Sequence, residues 1–217
     1  MARYVSPSYN TADVFVAACA AHRANCGYLK IGATDDEGNV IRLPNKILIR
    51  QFLEKSFDVR DEDRELSEKV MQFCRSLTFK LLMEHRLSDF EQNMLSIVEK
   101  ETLSSIFDIS VVSSLPAAYL RAHDRKTIDA RINSATGFIG TVGDKIKFTA
   151  EVLRCNYSEQ WGTFFVTAMM PDNKAIFFSY RNKIEIGVNI IAEGKIKAHR
   201  NQREDSTQLH YVRVFQC

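Results

Sequence analysis

Near the end of the chain, the stretch "AEGKIKAHRNQREDSTQLHYVRV" sets Lys195, Lys197, Arg200 and Arg203 close together and adds Arg213, with His199 among them. In an extended segment alternate side chains share a face, so Lys195 and Lys197 project together with Glu193 and His199, away from Ile190, Ala192, Ile196 and Ala198. Lys147 in "KIKFTAEVLR" alternates with Ile146 and Phe148 in the same way. A row of cations of this kind can neutralise a run of anions, phosphates above all. Flat side chains accompany it. Tyr157 and Trp161 flank a turn whose neighbours Asn156, Ser158, Glu159 and Gln160 favour water. Phe165 falls opposite Phe164 and Val166, and Phe177 opposite Ile176 and Phe178. Rings exposed beside cations stack on nucleobases. The competing readings are plain: aromatic rings fill cores, and lysines on a sheet edge discourage aggregation.

Other chemistries find less support. Cys19, His22 and Cys26 in "CAAHRANC" recur at helical spacing, but a fourth metal ligand is missing and the alanines around them suit a helix packed closely on a neighbour. The chain contains no GxxxxGK[ST] loop, no GxGxxG and no GxSxG elbow. Asp35 with Asp36 sits at a turn and Asp61 with Asp63 at a helix start, where turn chemistry and the helix dipole account for them. The sequence therefore predicts a binding protein without catalytic residues, metal or cofactor.

With 45% hydrophobic and 26% charged residues, four prolines and nine glycines, the 217-residue chain has the composition of a globular protein with a real core. Its length suits one moderate domain and one small one. The net charge is only +2, yet it is unevenly placed: residues 131–217 hold 12 Lys and Arg against 8 Asp and Glu, while residues 1–130 hold 17 against 19. Five scattered cysteines, no CxxC pair and no targeting signal predict reduced thiols and a cytoplasmic protein, the host cytoplasm if viral. The longest apolar run, "VFVAACAA", is too short to span a bilayer.

These residues need elements to position them. Residues 1–130 read as a helical domain with a short β-hairpin near 28–43. Thr11 caps the first helix, which ends near Gly27; "DEGN" turns the hairpin and Pro44 closes it. Leu66, Val70, Phe73, Leu77 and Leu81 form one helical stripe, Ser88 and Glu91 a capping box, and Pro116 the first turn of a last helix. Residues 131–144 read as a linker rich in Gly, Ser and Thr. From 145 to 217 the period switches to two, giving five strands, with a tight turn at "PDN" and a bend at Gly194. The fold class is α+β: a mostly helical N-terminal domain followed by a five-stranded antiparallel OB-like β-barrel. Other small barrels share this pattern. The short link before the fourth strand leaves little room for a plugging helix, a role the helical domain can fill.

The arrangement "GDKIKFTAEVLRC", a short Tyr/Trp/Gly turn, "AEGKIKAHR" and "TQLHYVRV" resembles the terminal OB-like module of phage proteins of DNA metabolism. That resemblance covers the barrel and leaves the helical part unmatched. It implies an anion-binding module. Joined to the reading of the residues, it predicts a DNA-binding protein, specific for single-stranded nucleic acid with DNA favoured, serving replication, recombination or repair. Replication or host proteins are further expected partners, and a membrane is not. The alternative is an adaptor or inhibitor of a host factor that uses the helical domain.

Overall fold

A computed structural model describes residues 7–55, 58–83, 85–201 and 205–216. The chain divides into two compact units, Met1–His123 and Asp124–Cys217.

The first unit is organised around α1 (Thr11–Ala24), whose Val14, Phe15, Ala17, Ala18, Cys19 and Ala21 are buried. A helix apolar on nearly every side belongs in the middle of its unit. Against it lie α2 (Asn45–Glu54) and α3 (Asp61–Arg75), followed by α4 (Leu77–Leu82), α5 (Asp89–Val98) and α6 (Ile106–Val112). Two short ladders complete it: β1 (Tyr9–Asn10) with β4 (Thr102–Leu103), and β2 (Ala33–Thr34) with β3 (Val40–Arg42). The second is the hairpin read from the sequence, its turn held by Asp35, which accepts from the N–H groups of Glu37 and Asn39.

The structure departs from the sequence pattern at two points. Asn10, not Thr11, caps α1 by accepting from Ala12 N at 2.9 Å; Thr11 is buried and its hydroxyl donates to the Lys100 carbonyl at 2.6 Å. The apolar stripe ends at Leu77, because the helix is interrupted at Ser76, whose hydroxyl donates back to Phe73 O; beyond the break Leu81 is exposed. The Ser88–Glu91 capping box is present. Lys80 donates to Glu91 at 2.6 Å, and that bond with those from Ser88 brings the Glu91 carboxyl down to about 2.

In the second unit β5 (Lys145–Ser158), β6 (Thr163–Met169), β7 (Ala175–Tyr180), β8 (Asn189–Arg200) and β9 (Ser206–Gln216) close into a barrel in the order β5-β6-β7-β9-β8, consistent with an OB-like barrel. Its strands are not all antiparallel: β7 and β9 pair in parallel. Parity requires this, since an odd number of strands cannot alternate direction all the way round a closed ring. Phe148, Val166, Ile176, Phe178, Ile190 and Ile196 lead the core. Gly194 stands where the β8–β9 register shifts, and a Cβ there would meet Val212 Cγ2 at 3.0 Å. A side chain at this position would have to displace Val212, so the close approach of β9 to β8 here favours glycine.

The expected linker at 131–144 is instead packed structure. It begins inside α7 (Leu115–Asn133), and Ile132 and Ala135, with Ile128 beside them, cover Leu153, Met169 and Ala175 at the side of the barrel. Arg131 grips Glu151 with two hydrogen bonds of 3.1 and 2.7 Å. Onward, Thr136 N donates to Asn173 O, Ile139 N to Thr207 Oγ1, and Gly143 N to Ile196 O. Apolar residues at helical spacing, Ile128, Ile132 and then Ala135, outweigh the Gly and Ser content that suggested a linker.

Candidate nucleic-acid interface

The sequence-derived residues fall on two outer faces of the barrel. On the first, the sheet ladder sets Lys145, Lys195 and His210 in one row and Lys147, Glu193 and Arg213 in the next. The apolar residues between them turn inward, so Lys145, Lys147, Lys195, Lys197 and Arg213 stand exposed together. The carboxylate of Glu193, in the middle of this face, is engaged by Lys145 at 3.2 Å. Among the described residues no carboxylate lies within ion-pair distance of Lys147, Lys195, Lys197 or Arg213. Phe215, also exposed, lies under Lys147 Nζ, 5.6 Å from the ring centre.

The second face belongs to β6 and β7. Phe165 and Phe177, both pointing away from the core, stack with ring centres 5.7 Å apart and planes 18° from parallel. Arg200 lies over Phe177 at 5.3 Å, a cation–π contact. Its guanidinium has no carboxylate in ion-pair reach among the described residues. Across β9 this face continues into the first, for Phe177 pairs with Gln208, and His210, two residues on, pairs with Lys195.

Tyr157 and Trp161 sit at the β5–β6 turn, 58% and 68% exposed; Tyr157 leans on Phe164 at 5.0 Å. Tyr157 does not share the aromatic face, since its ladder partner Phe164 points to the side of the sheet opposite Phe165. Arg203 lies outside the described residues. His199 does not share the lysine side as its spacing suggests. A register shift between Ile196 and Ala198 turns it inward, where its Nδ1 meets Thr207 Oγ1 at 3.3 Å and its ring stacks on Phe138. The same shift is what swings Arg200 out over Phe177.

Comparison with protein-family models, curated proteins and solved structures finds no match to this chain. Its side chains alone carry the functional reading.

Four other basic residues of this unit are tied down. Arg131 is held by Glu151, Arg154 by Asp129, Lys174 by Asp172 and Lys183 by Glu185. Asp205, beside the charged loop, accepts from Gly137 N at 2.9 Å. Lys147, Lys195, Lys197, Arg200 and Arg213, on β5, β8 and β9, thus form a group of cations without a carboxylate partner among the described residues. Cys19 and Cys26 are not brought together: Cys19 is in the helical core, where burial pushes its thiol up to about 12, and Cys26 is exposed past the end of α1. Among the described residues no group of His, Cys, Asp and Glu is placed to share a metal ion, and no helix is long and apolar enough to cross a membrane.

Sequence reasoning passed over Tyr211, which is 82% exposed between the two faces. A signal was available. Leu209 and Val212 are both core-directed, and a spacing of three between inward residues is incompatible with an uninterrupted strand.

Proposed function

We propose that the barrel binds single-stranded nucleic acid, DNA in the first place, without catalysing a reaction on it. The observation that carries this is the stacked Phe165–Phe177 pair on the outside of the sheet, with Arg200 laid over it. Rings on the outer side of a barrel fill no core, and a sheet face bearing paired rings and a cation is a stacking platform for bases. The bases stack there, and Lys147, Lys195, Lys197 and Arg213 neutralise the phosphates beyond them. Tyr157 and Trp161, exposed at the β5–β6 turn, offer further rings off this platform. Replication, recombination or repair is the setting that the resemblance to phage modules implies for this activity.

The test is fluorescence anisotropy of a labelled oligothymidylate across a salt series. Four phosphate contacts to a single strand give a log–log slope of about −2.8, hence about a fifty-fold loss of affinity between about 50 and about 200 mM salt. An absence of binding at low salt, or affinity indifferent to salt, rejects the proposal.

One observation favours a second reading for the helical unit, that of a protein-binding adaptor. Phe79, Leu82 and Met83 expose apolar surface around α4, and Phe90 does so on α5. Exposed apolar side chains gathered on neighbouring elements mark interaction sites. A pull-down with and without nuclease separates the two: a partner retained after digestion and released by Leu82→Glu belongs to this surface, whereas one lost with the nuclease belongs to nucleic acid held by the barrel.

A further inference from the structure

We infer that the slot between the diverging ends of β7 and β9 receives one nucleobase of the bound strand, stacked on Tyr211. The inference rests on the barrel's binding a single strand, and it assigns a site to residues outside the faces already described.

β7 and β9 pair only along Ala175–Phe177 and Ser206–Gln208. Past that point they part, and the gap is a recess of about 370 Å³ with Ser179, Arg181, Asn182 and Tyr211 in its walls. That volume is at the small end of ligand-sized pockets. It has room for a base and its sugar.

Tyr211 is held there by a strained backbone. Between the pairs Lys195–His210 and Glu193–Arg213, β9 contains one residue more than β8, and the extra residue is Tyr211 at φ 53°. Side-chain-bearing residues rarely adopt this left-handed conformation, which glycine takes without penalty. The bulge breaks the alternation of the strand, so that His210 and Tyr211 both escape the core and their rings meet at 4.4 Å. Folding gains little from an exposed ring on strained backbone. Strain of this sort is concentrated at binding sites.

The rest of the recess supplies polar recognition. Arg181 is exposed and, among the described residues, has no carboxylate in ion-pair reach, so its guanidinium is open to a phosphate. Asn182 and Ser179 offer donors and acceptors to a base edge. The recess also lies on the strand's path: Ser179 is the ladder partner of Phe165, and Arg213 comes two residues after Tyr211 on β9. A strand stacked on Phe165 and Phe177 passes the slot before it reaches the lysine face.

The decisive variant is Tyr211→Gly in the full chain, because glycine relieves the strain while removing the ring. Thermal stability should be equal to wild type or higher, and affinity for oligothymidylate about tenfold weaker. The salt slope should not change, since stacking releases no counterions, and Tyr211→Trp should restore affinity. Wild-type affinity in Tyr211→Gly overturns the inference and leaves the barrel's strand binding standing. So does a marked loss of stability, which would make the ring part of the packing. Thymidine monophosphate competing as well as the oligonucleotide overturns it too, for the slot would then be a free-nucleotide site. A wild-type chain that binds no oligothymidylate at low salt overturns both.

Discussion

Replacing Lys195 and Lys197 together by alanine should weaken single-strand binding about 60-fold at about 50 mM salt and flatten the log–log salt slope by about 1.4. The magnitude comes from counterion release: each lost phosphate contact removes about 0.7 from the slope, and the loss is compounded at low salt. Both side chains are exposed and lack a carboxylate partner among the described residues, so their removal leaves no charge stranded. Surface changes of this kind shift stability by about 0.5 kcal/mol or less, and the barrel should unfold as wild type does. Lys174→Ala with Lys183→Ala is the control. It removes the same formal charge from the same unit, but these lysines are already neutralised by Asp172 and Glu185. That chain should bind nearly as wild type. Equal weakening of the two double variants would mean that only net charge matters and that the β8 row is not a site.

The asymmetry between those two lysine pairs shows where the sequence could be read and where it could not. Features set by a few adjacent residues were legible: the 33–42 hairpin from its Asp-Glu-Gly-Asn turn, the Ser88–Glu91 box, the ladder irregularity at Gly194 and every barrel strand from its alternation. Features set by a count of residues between long-range partners were not. One extra residue at Lys197 sends His199 inward and Arg200 outward; another at Tyr211 puts a ring at the slot. A period-of-two reading carries a strand's faces straight through such points and misassigns every residue beyond them. The parallel β7–β9 pair is a different case, because five strands in a closed ring already require it. Ion pairing is the least legible of all. The unpaired state of Lys195 and the neutralised state of Arg154 depend on which helix lies across which strand, and Asp129 is close to Arg154 only once the end of α7 is packed on the barrel.

Asp63 presents the same problem in the helical unit, with a large effect on stability. Its position at the start of α3, among Asp61 and Glu62, suggests a carboxylate that merely complements the helix dipole. Instead it is 2% exposed and accepts from Arg23 Nε at 3.0 Å, from Arg23 Nη2 at 2.8 Å and from Arg60 N at 3.0 Å, joining the end of α1 to the start of α3. Burial pushes the Asp63 carboxyl up, but the hydrogen bonds from Arg23 and Arg60 and the charge of Arg23 outweigh it, and the group titrates below its ordinary value of 3.8. Asp63→Ala leaves Arg23 with Glu62 at 3.5 Å and the Asp58 carbonyl at 3.1 Å, and uncovers the Arg60 N–H. Breaking a pair with one fully buried partner should cost about 3 kcal/mol and lower the midpoint of helical unfolding by about 10 °C. Asp63→Asn keeps an acceptor and should lose less. The sign of the pH dependence is fixed by the depressed value: the ionised form is stabilised by folding, so the contribution is complete above 3.8 and fades as pH falls through that value toward the folded one. Thermal unfolding followed by helical circular dichroism should therefore separate wild type from Asp63→Asn at neutral pH, with the gap closing in acid. A gap that persists unchanged in acid would assign the loss to packing, and Asp63→Ala within about 0.5 kcal/mol of wild type at neutral pH would show that the two helices are joined by their apolar contacts alone.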